Sequence, residues 1–160
     1  MTERLADALA RIACEILEEA AFVFAQQRDF SPPENGEFVV ATLPVSGAVT
    51  GLVGLAMQPP LGAEVAANLL GVEPGDPEAD ARVSDAVGEL LNMLAGSLAA
   101  QTSAASERWT LGSPHTRVVC CLLQEEAFRA VQPVSLVTDQ GEGIWAAVAL
   151  QGRAAEVGLA

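Results

Sequence analysis

The chain carries one structural plan twice, and this limits its fold more than any other feature. The stretch "ACEILEEAA" (residues 13–21) aligns with "VGELLNMLA" (residues 87–95), setting Glu15 against Glu89 and Glu18 against Asn92. Each copy sits in a long helical pattern and is followed by strand patterns. A helix with one apolar stripe and a hairpin with one apolar face must bury those surfaces against something. Two such halves can share one antiparallel sheet, with the two long helices side by side on one face. The expected class is therefore α+β, not a parallel doubly wound fold.

The periodicities place the elements. Apolar residues at Leu5, Ala8, Leu9, Ile12, Ile16 and Ala20 predict a first helix from Thr2 to about Gln27. The segment "RDFSPPENGE" breaks it with Pro32, Pro33 and Gly36. Strands are expected over 37–44 and 50–57, joined as a hairpin by the turn-rich "VSGAVTG". Gly47, Gly51 and Gly54 there imply close backbone approach or bulges. "QPPLGAEVAANLLG" opens on prolines and closes on Gly71, the start and stop signals of a short helix. An acidic connector, "VEPGDPEAD", leads to the second long helix, capped by Ser84 or Asp80 and running to about Ser106. A strand over 117–124 and a closing hairpin, 134–139 and 144–150 around "QGEG", complete the plan. One domain over 1–152 accounts for these elements, with 153–160 as a frayed tail.

The second long helix poses a chemical question. Asp85, Glu89 and Asn92 recur at helical spacing and form one polar strip about two turns long. Leu90, Leu91, Leu94 and Leu98 lie largely away from it. An acid and an amide on a helix are ordinarily its wet side, but this strip lacks the Lys or Arg of an ordinary exposed face. Gly88 and Gly96 flank it, and glycine inside a helix costs roughly 1 kcal/mol relative to alanine. Two of them beside one strip suggest that something comes close to the backbone there.

Charge and cysteine usage narrow the partners. The net charge is −13, and every one of the 8 basic residues is Arg. So acidic a chain repels phosphate backbones and anionic membrane surfaces, which argues against nucleic-acid and membrane partners. No apolar run approaches the roughly 20 residues of a membrane-spanning helix. The amphipathic start, "MTERLADALARIA", does not resemble a signal peptide, so a cytoplasmic location is expected. The cysteines, Cys14, Cys120 and Cys121, are odd in number and match no zinc spacing, so they are read as buried thiols.

The stretch "DAVGELLNMLAG" resembles the signature of the CheC/CheX/FliY family of chemotaxis phosphatases. That signature is Asp or Ser, three residues, Glu, two residues, Asn, and a proline a little over twenty residues on. Asp85, Glu89 and Asn92 fit it, and Pro114 falls one residue short of the usual spacing. "LPVSGAVTGLVGLAM" with "LGAEVAANLLG" is similar to the family's hairpin and short helix, and "VSLVTDQGEGIWAAVAL" to its closing hairpin. The resemblance implies a CheC-like pseudo-repeat fold and a phosphatase acting on a phosphorylated CheY-like receiver domain. It implies Glu89 and Asn92 as the catalytic pair: Glu89 anchors a lysine of the regulator, and Asn92 orients the attacking water. Asp85, Gly88 and Gly96 would meet the partner. No cofactor of its own is implied, since the Mg²⁺ belongs to the regulator. The first helix carries Glu15 and Glu18 where two-site members carry a second Glu-Asn pair. A carboxylate cannot donate to water and repels a phosphoryl group, so that helix is read as inactive. One site per chain is the CheX pattern, which implies a homodimer.

Other residues have plainer readings. His115, the only histidine, has no visibly paired Ser or Cys. Trp109 and Trp145 could anchor an interface, but core packing is the simpler expectation. Two rivals to the phosphatase stand: a module of the same fold that binds a regulator or flagellar switch without hydrolysis, and a structural homodimer with no signalling partner.

Overall fold

The computed structural model describes residues 4–102 and 108–151, so the expected tail at 153–160 lies outside the described residues. In chain order the elements are α1 (Leu5–Ala21), β1 (Ala25–Gln27), β2 (Phe38–Gly47), β3 (Thr50–Met57), α2 (Pro59–Leu70), α3 (Pro77–Ala81) and α4 (Val83–Thr102). There follow β4 (Trp109–Leu111), β5 (His115–Val119), a 3₁₀ turn (Leu122–Gln124), α5 (Glu126–Ala130), β6 (Val134–Thr138) and β7 (Gly143–Gln151).

One antiparallel sheet runs β1-β6-β7-β3-β2-β4, with β5 also paired to β2. The two expected hairpins, β2–β3 and β6–β7, are joined along β3 and β7, from Thr50 opposite Gln151 to Met57 opposite Ile144. Gly51 lies in this seam. A Cβ there would stand 2.0 Å from the carbonyl oxygen of Ala149, so the strands could not close on any larger residue.

Alternation along β2 divides the core. Val39, Ala41, Leu43 and Val45 face the layer formed by α1, α2 and α4, while Phe38 and Val40 face the other way. The two long helices pack against each other on the first face, as the repeat predicts. On the second face, Leu122, Ala127 and Phe128 cover Trp145 and Ala147. Trp145 is buried, stacks on Phe30 and donates its Nε1–H to the Phe30 carbonyl at 2.7 Å; Trp109 is buried as well. Both tryptophans are therefore core residues.

Four boundaries differ from the sequence reading, each for a local reason. α1 stops at Ala21 because Phe22 turns left-handed at φ 54°. The N–H groups of Phe22 and Val23 then bond back to Glu18 and Leu17, and the following residues leave to pair with β6. The acidic connector contains α3, whose Asp76 side chain accepts from the Glu78 N–H at 2.8 Å. α4 begins directly after Arg82, so Asp80 lies inside α3 and Ser84 inside the first turn of α4; neither occupies the expected cap. The expected strand over 117–124 is β5 only to Val119, after which the chain turns through the 3₁₀ segment into α5. As a result Cys120 is exposed and Cys121 half-buried, which corrects the expectation of buried thiols. Cys14 is half-buried on α1, where burial, reinforced by the Glu15 charge, pushes its thiol pKa up.

Candidate functional site

The strip lies on α4, the longest helix among the described residues. Ala86, Val87, Leu90, Leu91, Leu94, Ala95, Leu98 and Ala99 are buried against the sheet and neighbouring helices. That packing fixes the rotation of the helix. Asp85, Glu89 and Asn92 are left exposed on one face, Glu89 and Asn92 about 5–6 Å apart at Cβ by helix geometry. Among the described residues neither Glu89 nor Asn92 has a hydrogen bond or ion pair, so both side chains are available to an incoming molecule.

The strip is not wholly without a cation. Arg82 reaches Asp85 at 3.9 Å, but both side chains are more than half exposed, and such a pair contributes about 0–1 kcal/mol at most. The two flanking glycines differ. Gly88 is buried, and the close neighbours it admits are Pro114 and Thr116 of its own chain. Among the described residues nothing lies within 4 Å of a Cβ at Gly96, which is half-buried. The clearance expected at both positions is thus filled by internal packing at Gly88; at Gly96 no described residue fills it.

Pro114 entered with the signature, but Thr116 was not legible from spacing as a neighbour of the strip. They meet it because β5 runs along the edge of β2 beside α4, with Thr116 opposite Ala41. Thr116 turns toward the helix, so His115 and Arg117 turn to the other face. Arg117 there pairs with Glu125. His115 is exposed and on the face opposite α4, so it plays no part in the strip.

The corresponding face of α1 presents Glu15 and Glu18, both exposed. Arg11 engages Glu15 at 3.5 Å and donates to the Gln101 side chain at 2.8 Å, tying α1 to the last turn of α4. Among the described residues no group of three His, Cys, Asp or Glu is arranged to hold a metal ion, and no helix is long and apolar enough to cross a membrane.

What this arrangement offers is a rigid rod with a free acid and a free amide one turn apart, beside a supported proline. Residues 39–117, which span β2 through the strip to β5, match the family model described as chemotaxis phosphatase CheX. No curated protein matches the sequence. Among solved structures, CheX from Vibrio vulnificus superposes with a TM-score of 0.70 at 17% identity, covering 92% of this chain and 96% of that one. The CheX–CheY–BeF₃–Mg²⁺ complex from Borrelia burgdorferi gives 0.66 at 16% identity, covering 90% and 96%. FliY from Thermotoga maritima gives 0.61 at 16%, covering 89% and 84%. At these identities the structural matches establish the fold. The fold is therefore that of the CheC/CheX/FliY group, and the CheX family model matches the chain across the strip.

Proposed function

We propose that the protein is a phosphatase of a phosphorylated CheY-like receiver domain, with its site on the exposed face of α4. The observation that carries this reading is the pairing of two free side chains, Glu89 and Asn92, on a helix whose opposite face is locked in the core. The solved relative that holds CheY, BeF₃ and Mg²⁺ together supports a receiver domain as partner and Mg²⁺ as the partner's own ion.

In this reading Glu89 meets a lysine of the receiver and fixes the docking register. The Asn92 amide then reaches the water that attacks the aspartyl phosphate. Its carbonyl oxygen accepts a hydrogen bond from the water while its N–H₂ is free to donate, so one group can hold both the position and the direction of the nucleophile. The water oxygen bonds to phosphorus, the P–O bond to the aspartate breaks, and that electron pair leaves on the carboxylate. The water's proton departs with the phosphate product or to solvent. Such a transfer asks the protein for position and charge stabilisation more than for covalent chemistry. Asp85 and Gly96 would lie within the same docked face, and Gly88 would support it from beneath. A homodimer follows from the single-site pattern and is checked by sedimentation of the purified chain.

The deciding experiment is phosphate release from phosphorylated receiver domains of the same organism. Asn92→Ala should slow it on the order of 10²-fold, as loss of one transition-state hydrogen-bonding group does elsewhere. An unchanged rate removes the mechanism. Receiver binding without any phosphate release would favour the non-hydrolytic module.

A further inference from the structure

Resting on the phosphatase reading, we infer that Thr116, acting through Gly88, is a positioning residue that sets how far the acid and amide of α4 stand out toward the partner. A Cβ at residue 88 would come within 3.3 Å of Thr116 Cγ2 and 3.7 Å of Pro114 Cβ and Cγ. Carbon atoms pack best at about 3.5–4.0 Å, so Pro114 would accept the added methyl, while the Thr116 methyl would have to give way slightly.

Thr116 is poorly placed to yield. Its backbone is paired with Ala41 on β2, a strand itself held between β3 and the outer strands. Its β-branched side chain has few rotamers to choose among. The small clearance then comes from α4 moving outward rather than from β5. Glu89 is the next residue, and Asn92 lies one turn further on the same side of the helix as Gly88, so a shift at 88 is carried into both. Among the described residues Gly96 has no neighbour of this kind, which makes Gly88 the interior glycine of the strip that packs against another element. Helix propensity alone would favour alanine at 88; the contact with β5 opposes it.

The test compares the wild type, Gly88→Ala, and the double variant Gly88→Ala/Thr116→Ser, which deletes the methyl at fault and keeps the hydroxyl. Alanine should not lower the thermal midpoint. It should reduce phosphate release at saturating receiver about tenfold with KM little changed, within the roughly 10²-fold that a 1 Å misplacement can cost. The double variant should recover most of the rate. A wild-type rate in Gly88→Ala, or a double variant as slow as the single one, overturns the inference. The Asn92 side-chain amide resonances read the same geometry with no receiver present. They should shift in Gly88→Ala and return in the double variant, and resonances that stay put overturn the inference whatever the activity. Resonances that shift and return in a protein that hydrolyses nothing would instead overturn the phosphatase reading and leave the Thr116–Gly88 contact standing.

Discussion

At the scale of single residues, the proposed chemistry depends on two side chains that do nothing for the fold. Glu89 and Asn92 are exposed and free of partners among the described residues, so changing them should leave stability nearly unaltered while changing function. Glu89→Lys is the sharper probe of docking. It places a cation against the proposed receiver lysine, and like charges in contact cost affinity where Glu89→Ala only loses an attraction. Calorimetric titration with a beryllofluoride-activated receiver should give an affinity order of wild type, then Ala, then Lys. Equal affinity in all three would remove Glu89 from the interface. The identity and spacing of this pair were legible because a helix converts spacing into a shared face. Thr116 was not legible. It fell in what read as a loop, one residue ahead of the expected strand at 117, so its side-chain direction had no assigned parity.

At the scale of elements, strong periodicity was a reliable guide and short apolar runs were not. α2, β3 and the closing hairpin sit where their signals put them, because prolines, Gly71 and alternation act locally. The run after Val119 reads as strand by composition, yet Leu122 is buried and Leu123 exposed in a 3₁₀ turn that caps the second face of the sheet. A few apolar residues cannot signal which partner will cover them. The β6–β7 turn carries a titratable feature that no pattern announced. Burial first, then the charges of Glu64 and Asp139, raise the Glu142 carboxyl above its ordinary 4.5. The folded protein therefore holds that proton more tightly than the unfolded chain, and stability falls as pH rises through and above 4.5. Glu142→Gln should accordingly raise the thermal midpoint at pH 7, with the gain closing as pH drops below 4.5. A gain that persists undiminished in acid would mean that something other than the carboxylate charge is responsible.

At the scale of the whole molecule, a net charge of −13 governs encounter rather than fold. A receiver's phosphorylation site is itself acidic, so long-range repulsion should slow association, and salt should relieve it as the screening length falls to about 10 Å at 0.1 M. Stopped-flow association with an acidic receiver should speed up between low and moderate ionic strength. A rate that falls with salt would instead point to a basic patch on the partner dominating the approach. The chain's own pattern determined the α+β class, the two long helices on one face, the paired hairpins and the acid–amide strip, because each follows from side-chain period and local turn chemistry. The tertiary structure alone decided where α1 yields to an edge strand, which atoms lie under Gly88, and which thiol faces water. Those outcomes depend on strands distant in sequence arriving at the two opposite edges of the sheet, β1 beside β6 and β5 beside β2, and a local pattern carries no information about what will be packed against it.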